Sequence, residues 1–279
     1  MGDQQRAETD SILSGAETID LQEEGSHGVL LLHGFGDTPQ TLALIARRLA
    51  ESGYGVLVPL LPGHGRNMGA FQRSRADEWL EAARKSLFQM RTRYATVSII
   101  GLSMGAALAV LAAAETPAIA SLVLIAPYLG MPAQLRIAAV THWLWGSIAG
   151  EINARNPRSI HDPIERKLNL AYGVVTGRIL NELSKVVRLA RKALPRVTAP
   201  TLVILSREDP RVAPAIAEFA LKKLGARDKK LVWTQGAGHI ITVDYGRERV
   251  FNEVESWLRT YDGRSATAAE DKRAAVERR

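Results

Sequence analysis

Short apolar runs rich in leucine and β-branched residues alternate along this chain with stretches of helical periodicity, at residues 28–32, 55–59, 96–100, 121–126, 201–205 and 231–234. Such runs are long enough for strands buried on both faces, and their alternation with amphipathic stretches is what βαβ units with a parallel sheet produce. The intervening stretches carry helix signals of their own. Between the first two runs, Asp37 or Thr38 is placed to cap a helix with Pro39 near its start, Leu42, Ile45, Ala46 and Leu49 share a face, and Gly53 stands where a chain leaves a helix. A second helix is expected over 77–91, with Leu80, Ala83, Leu87 and Met90 inward, and a final one with Val250, Val254, Trp257, Leu258 and Tyr261 along one side. The fold class is therefore α/β, a mostly parallel central sheet flanked by helices.

The alternation stops between Tyr128 and Pro200, where some seventy residues separate two strands that a single helix would normally join. An insertion is expected there. Two apolar-aromatic stretches, 137–145 and 168–175, are followed by a basic amphipathic helix at 180–194 that leads into Pro200. Residues 128–180 read as a cap over the carboxyl ends of the strands, as helices or as a longer surface loop, and 181–194 as the returning core helix. The expected organisation is an acidic segment 1–24, core 25–127, cap 128–180, core 181–261 and a charged tail 262–279. At 279 residues, 46% of them apolar, the chain can bury such a core as one domain.

One turn stands out chemically. Gly101-Leu-Ser-Met-Gly105 falls where the run 96–100 ends and the small-residue helix 104–115 begins. In a strand-turn-helix of this kind the central serine takes a strained conformation that thrusts its Oγ clear of the sheet, and glycines two residues to either side remove a collision. Ser103 is thus a candidate nucleophile. An alcohol needs a base beside it at neutral pH, and the base needs an acid to orient it. Of six histidines, His239 follows the last run in the glycine-rich loop Gly236-Ala-Gly-His and would sit at the same sheet edge as Ser103. His27 points to the opposite edge, His142 and His161 fall in the cap, and His33 and His64 suit scaffold roles. The acid is expected after the preceding run, where Glu208 and Asp209 are adjacent; Asp209, followed by the rigid Pro-Arg-Val-Ala-Pro214 turn, is preferred. Asp244 reads as a structural partner. Two backbone N–H groups must hold the developing oxyanion, and Met104, at the start of its helix, and Phe35, in the loop after the first run, are the expected donors.

At these residues the chain resembles the α/β-hydrolase superfamily, and within it the bacterial carboxylesterase and monoacylglycerol lipase group. The matching stretches are Leu30-Leu-Leu-His-Gly-Phe-Gly36, Leu61-Pro-Gly-His-Gly65, Gly101-Leu-Ser-Met-Gly105, Arg207-Glu-Asp209 and Gly238-His-Ile-Ile-Thr-Val-Asp244, and the resemblance spans about residues 17–261. It implies an α/β-hydrolase fold with a small inserted cap over an apolar acyl-binding pocket, a Ser103–His239–Asp209 triad, and hydrolysis of short-to-medium acyl esters, monoacylglycerols included, through an acyl-enzyme. No metal or organic cofactor is implied. Acyl transfer, perhydrolysis and C–C bond hydrolysis use the same residues, and a non-catalytic ligand receptor on the same fold is the alternative of another class. The stretch Thr141-His-Trp-Leu-Trp145 matches no cap of the group.

Charge and composition narrow the partners. The net charge of +7 is uneven, and residues 131–200 hold 11 Lys or Arg against four acids. These are scattered, as on solvated helix faces, and no aromatic-basic motif accompanies them, so nucleic acid is not an expected partner. No apolar run approaches the roughly 20 residues needed to cross a bilayer, and the first residues lack the pattern of a signal peptide. With no cysteine in the chain, a cytoplasmic protein acting on a small-molecule ester is expected, with peripheral but not inserted membrane contact.

Overall fold

A computed structural model of the protein describes residues 11–144 and 150–263. Within these, the six expected strands and one further edge strand pair into one seven-stranded sheet. It is formed by β1 (Ile19–Leu21), β2 (His27–Leu32), β3 (Gly55–Val58), β4 (Thr96–Leu102), β5 (Leu122–Ile125), β8 (Thr201–Ser206) and β9 (Lys229–Thr234). The order across the sheet is β1-β3-β2-β4-β5-β8-β9. Every neighbouring pair is parallel except β1 with β3. The central strands β2, β4, β5 and β8 are buried along almost their whole length, which is why they read as nearly continuous apolar runs instead of alternating ones. Each fully buried leucine or isoleucine there contributes roughly 1.5–3 kcal/mol.

The flanking helices follow from the spacing of apolar residues. Pro39–Leu42 forms a 3₁₀ turn that runs into α1 (Ala43–Glu51), burying Ile45, Ala46 and Leu49. The chain then turns through Gly53 at φ 79°. After the short α2 (Met68–Arg73), α3 (Ala76–Arg93) buries Ala83, Leu87 and Met90 as its periodicity requires, with Trp79 taking the fully buried place expected of Leu80. In α4 (Met104–Glu115) every residue from Met104 to Ala113 is buried. Alanine and glycine let this helix lie close against the sheet on one side and the returning helix on the other.

Residues 129–176 make the excursion from the core, and they are only partly helical. The segment holds α5 (Ala133–Val140), the two-stranded hairpin β6 (Glu151–Asn153) with β7 (Val174–Thr176), a 3₁₀ turn at Pro157–Ser159, and the short α6 (Pro163–Leu168). The returning helix α7 (Gly177–Ala193) starts three residues earlier than its periodicity indicated, because the Thr176 hydroxyl caps it by accepting from Ile179 N. Its buried stripe, Ile179, Leu183, Val186, Val187 and Ala190, packs on α4, while its basic side faces solvent. Helices α8 (Pro214–Lys223) and α9 (Arg247–Tyr261) complete the core.

Two segments set apart by charge contribute to the core. Residues 19–21 of the acidic segment form the edge strand β1, and Asp262, first residue of the charged tail, is buried and accepts from Tyr54 Oη at 2.9 Å. The rest of these segments at 1–10 and 264–279, and residues 145–149 of the cap with Trp145, lie outside the described residues. Among the described residues no helix is long and apolar enough to cross a membrane.

Candidate active site

The parallel register puts the carboxyl ends of β2, β4, β8 and β9 at one edge of the sheet. The loops leaving them carry Phe35, Ser103, Asp209 and His239. Ser103 sits between β4 and α4 at φ 56°, ψ −116°; Ala126 is the other described non-glycine residue with positive φ. A residue held there stores roughly 1–3 kcal/mol of strain, and the surroundings enforce it. Ser103 N donates to Ile125 O at 2.9 Å, and Ser103 O accepts from Ala106 N and Tyr128 N at 3.1 Å each. Both glycines of the turn are needed for closeness. A Cβ on Gly101 would lie 2.4 Å from Gly105 O, and one on Gly105 would lie 2.0 Å from Leu32 O.

His239 meets Ser103 across this edge. Its Nε2 lies 2.8 Å from Ser103 Oγ and its Nδ1 2.8 Å from Asp209 Oδ2. An ionised carboxylate only accepts, so Nδ1 carries the proton toward Asp209 and Nε2 is left to accept from the serine hydroxyl. The carboxylate is held from its other oxygen, since Asp209 Oδ1 accepts Arg211 N at 2.7 Å and Val212 N at 2.9 Å. The Pro-containing turn after Asp209 thus aims Oδ2 at the imidazole. Both members of the pair are shielded, with the side chain of His239 6% exposed and that of Asp209 0%. Glu208, the adjacent acid, instead accepts from Gly236 N at 2.8 Å and is exposed. This arrangement can deprotonate an alcohol and return the proton to a leaving group.

The loop after β2 closes the other side of the serine. A Cβ on Gly34 would stand 3.4 Å from Ser103 Cβ, so the backbone of 33–35 lies against the nucleophile turn. The Phe35 ring packs on Phe71 and Trp79, with centroids 5.1 and 5.9 Å away, which fixes the loop. Met104 opens α4, where the helix dipole favours negative charge.

His33 and His64 brace the loop from beneath. His33 Nδ1 donates to Gly34 O at 3.0 Å and its Nε2 accepts from Leu61 N at 3.1 Å; His64 Nδ1 donates to Pro62 O at 3.0 Å. Burial holds the His33 pKa well below its ordinary value and pushes His64 down to about 4, so both are neutral at pH 7. Asp37 is also buried here, accepting from Thr38 N and Thr41 Oγ1 at 2.9 Å each, and burial pushes its pKa up to about 7.

The remaining histidines lie elsewhere. His27, at the amino end of β2, bonds Thr96 Oγ1 and Ser98 Oγ. His142 Nδ1 donates to Ala139 O, and His161 Nδ1 to Gly236 O. Two contributors escaped the reading of the sequence. The Ser159 carbonyl, in the excursion at 129–176, accepts from His239 N at 2.8 Å, and the Arg211 side chain donates from Nε to Ser159 Oγ at 2.8 Å. A backbone carbonyl leaves no trace in residue identity, but Gly238 before the histidine was a usable sign: a Cβ there would lie 2.1 Å from Arg158 O. Among the described residues no group of three or more His, Cys, Asp or Glu is arranged to hold a metal ion.

Known proteins resemble this chain along most of its length. The family model described as serine aminopeptidase, S33, matches residues 24–245. The chain is 30% identical over 241 residues to the thermostable monoacylglycerol lipase of Bacillus sp. (strain H-257), covering 86% of this chain and 92% of that protein. It is 22% identical to the carboxylesterase of Bacillus subtilis (strain 168), over 85% and 94% of the two chains. Among solved structures, one from work on the metagenome-derived lipolytic enzymes LipS and LipT superposes with a TM-score of 0.83 at 29% identity, covering 90% of this chain and 100% of that one. The monoacylglycerol lipase of Paleococcus ferrophilus superposes with a TM-score of 0.72 at 21% identity, over 88% and 97% of the two chains.

Proposed function

The chain belongs to the serine aminopeptidase S33 family, a group of α/β-hydrolases, and we propose that within it the protein is a serine carboxylic-ester hydrolase acting through Ser103, His239 and Asp209. The observation that carries this reading is the unbroken relay Asp209 Oδ2–His239–Ser103 Oγ, with both contacts at 2.8 Å. The relatives described above are named as lipases or esterases, which favours esters over peptides as substrates.

In this mechanism His239 Nε2 takes the hydroxyl proton as Ser103 Oγ bonds to the ester carbonyl carbon. The oxyanion is held by the N–H groups of Phe35 and Met104, each worth roughly 2.7–4 kcal/mol of transition-state stabilisation. As the intermediate collapses, the bond to the alcohol oxygen breaks and His239 gives that oxygen its proton. Water then attacks the acyl-serine, losing a proton to His239, and the acid departs with Ser103 reprotonated. Asp209 keeps the imidazole in its tautomer and stabilises the imidazolium formed in each half.

Short-to-medium acyl esters, monoacylglycerols among them, are the substrates this reading favours, with the described cap residues, 128–144 and 150–180, bordering the acyl site. Four apolar side chains of the cap, Ile137, Val140, Trp143 and Leu144, are 52–73% exposed. Such a surface suits peripheral contact with a lipid or emulsion from which an acyl substrate is drawn. A p-nitrophenyl ester series from acetate to palmitate, run beside a monoacylglycerol, tests the assignment. Hydrolysis is expected at short and medium lengths, and Ser103→Ala should lose roughly 10⁴–10⁶ in turnover; an Ser103→Ala variant that still hydrolyses these esters would contradict it.

A further inference from the structure

Residues 157–162 of the cap end on the histidine loop. The 3₁₀ turn Pro157–Ser159 presents one carbonyl, Ser159 O, to both His239 N at 2.8 Å and Ile240 N at 2.9 Å. Five positions past the histidine, the buried carboxylate of Asp244 accepts four backbone N–H groups. Two come from its own loop, Gly238 at 2.7 Å and Tyr245 at 2.8 Å. Two come from the cap, His161 at 2.8 Å and Asp162 at 2.9 Å. Arg211, two residues past Asp209, joins the same cluster by donating to Ser159 Oγ and Ala154 O at 2.8 Å each. The acid turn, the histidine loop and the cap therefore meet on Ser159 and Asp244.

We infer that Asp244 is a positioning residue for His239, and that cap residues 157–162 are a fixed wall of the reaction centre. The inference rests on His239 being the base proposed above. One ionised carboxylate with four N–H donors is a strong, geometrically exacting anchor. It sets the histidine loop relative to a cap segment that itself holds the His239 and Ile240 amides. Without it, four donors lose their acceptor and the loop is free to shift. A displacement of the reacting groups by about 1 Å costs on the order of 10²-fold in rate while leaving substrate binding largely intact. Any opening of the cap must leave residues 157–162 in place, since moving them moves the imidazole.

The test compares wild type with Asp244→Asn and Asp244→Ala on p-nitrophenyl butyrate, with competent sites counted by a fluorophosphonate. Asparagine keeps the shape but turns an NH₂ toward two of the N–H donors. The expected result is kcat per titrated site lower by about 30- to 100-fold, with a matching slowing of phosphonylation and KM within about threefold. Variants with wild-type kcat per titrated site, whatever they lose in melting temperature or yield, would reduce Asp244 to a structural role. Hydrogen exchange on the wild type tests the clasp without any variant. The amides of His161, Asp162, His239 and Ile240 should exchange slowly and together; fast exchange at 161 and 162 with slow exchange at 239 and 240 would overturn it. A wild type inert toward esters and fluorophosphonate would instead count against the proposed function, with the exchange experiment still judging the clasp.

Discussion

Ser103 and His239 stand 136 positions apart in the chain, and their Oγ and Nε2 atoms lie 2.8 Å apart in the fold. The sheet makes this possible. β4 and β9 are separated by only β5 and β8, all four run parallel, and each loop leaves the same edge. Asp209 comes from the loop after β8, beside the strand that delivers the histidine, so its carboxylate approaches Nδ1 while the serine takes Nε2.

The two adjacent acids separate cleanly by experiment. Asp209→Asn should lower kcat on the order of 10⁴-fold, because an amide can turn its NH₂ to Nδ1 and select the wrong tautomer. Glu208→Gln should stay within a few-fold of wild type, since that side chain is exposed and contacts Gly236 N, not the imidazole. Steady-state rates on p-nitrophenyl butyrate decide it; the reverse order of losses would move the acid to Glu208.

The turn itself predicts a folding defect. Gly105→Ala places a Cβ 2.0 Å from Leu32 O, a backbone atom in the middle of the sheet edge that cannot step aside. Overpacking of this kind costs about 1–3 kcal/mol or more, added to any change in the nucleophile's position. The variant should show a lower melting temperature or reduced soluble yield. A variant as stable and active as wild type would mean that α4 lies farther from β2 than described.

Much of this was legible in the sequence, for physical reasons that also mark what was not. The buried strands β2, β4, β5 and β8 announce themselves because burial on both faces demands continuous apolar runs. The nucleophile turn is readable because a strained serine needs glycine on both sides. By contrast β1, Ile19-Asp-Leu21, is three residues with an acid at its centre, and it is a strand only because Val56–Val58 offers it an edge to pair with. The hairpin Glu151–Asn153 with Val174–Thr176 likewise owes its form to a partner some twenty residues away. Trp79 takes the core position expected of Leu80 because its ring fills the space beside Phe35 and its Nε1 reaches Pro62 O at 3.1 Å. Ser159 contributes through its carbonyl, which any residue type would supply.

Asp37 makes stability depend on pH. Burial raises its pKa from 3.8 to about 7 in the fold. As pH rises from about 4 to about 7 the unfolded chain releases this proton while the folded chain retains it, so the group's contribution is present below pH 4 and is lost by pH 7. At 1.36 kcal/mol per unit the loss is on the order of 4 kcal/mol. Asp37→Asn removes the titration, so the stability of the variant relative to wild type should rise by a few kcal/mol between pH 4.5 and pH 8 in urea unfolding. A difference that is flat, or that falls with pH, would contradict a carboxyl kept neutral by burial.

The most direct test of the central claim is the reaction of the whole protein with a fluorophosphonate at neutral pH, followed by peptide mass mapping. The relay through His239 predicts one adduct per chain, on Ser103, abolished in Ser103→Ala and slowed at least a hundredfold in His239→Ala. A protein that binds the probe without forming an adduct, or that carries it on another residue, would contradict the account.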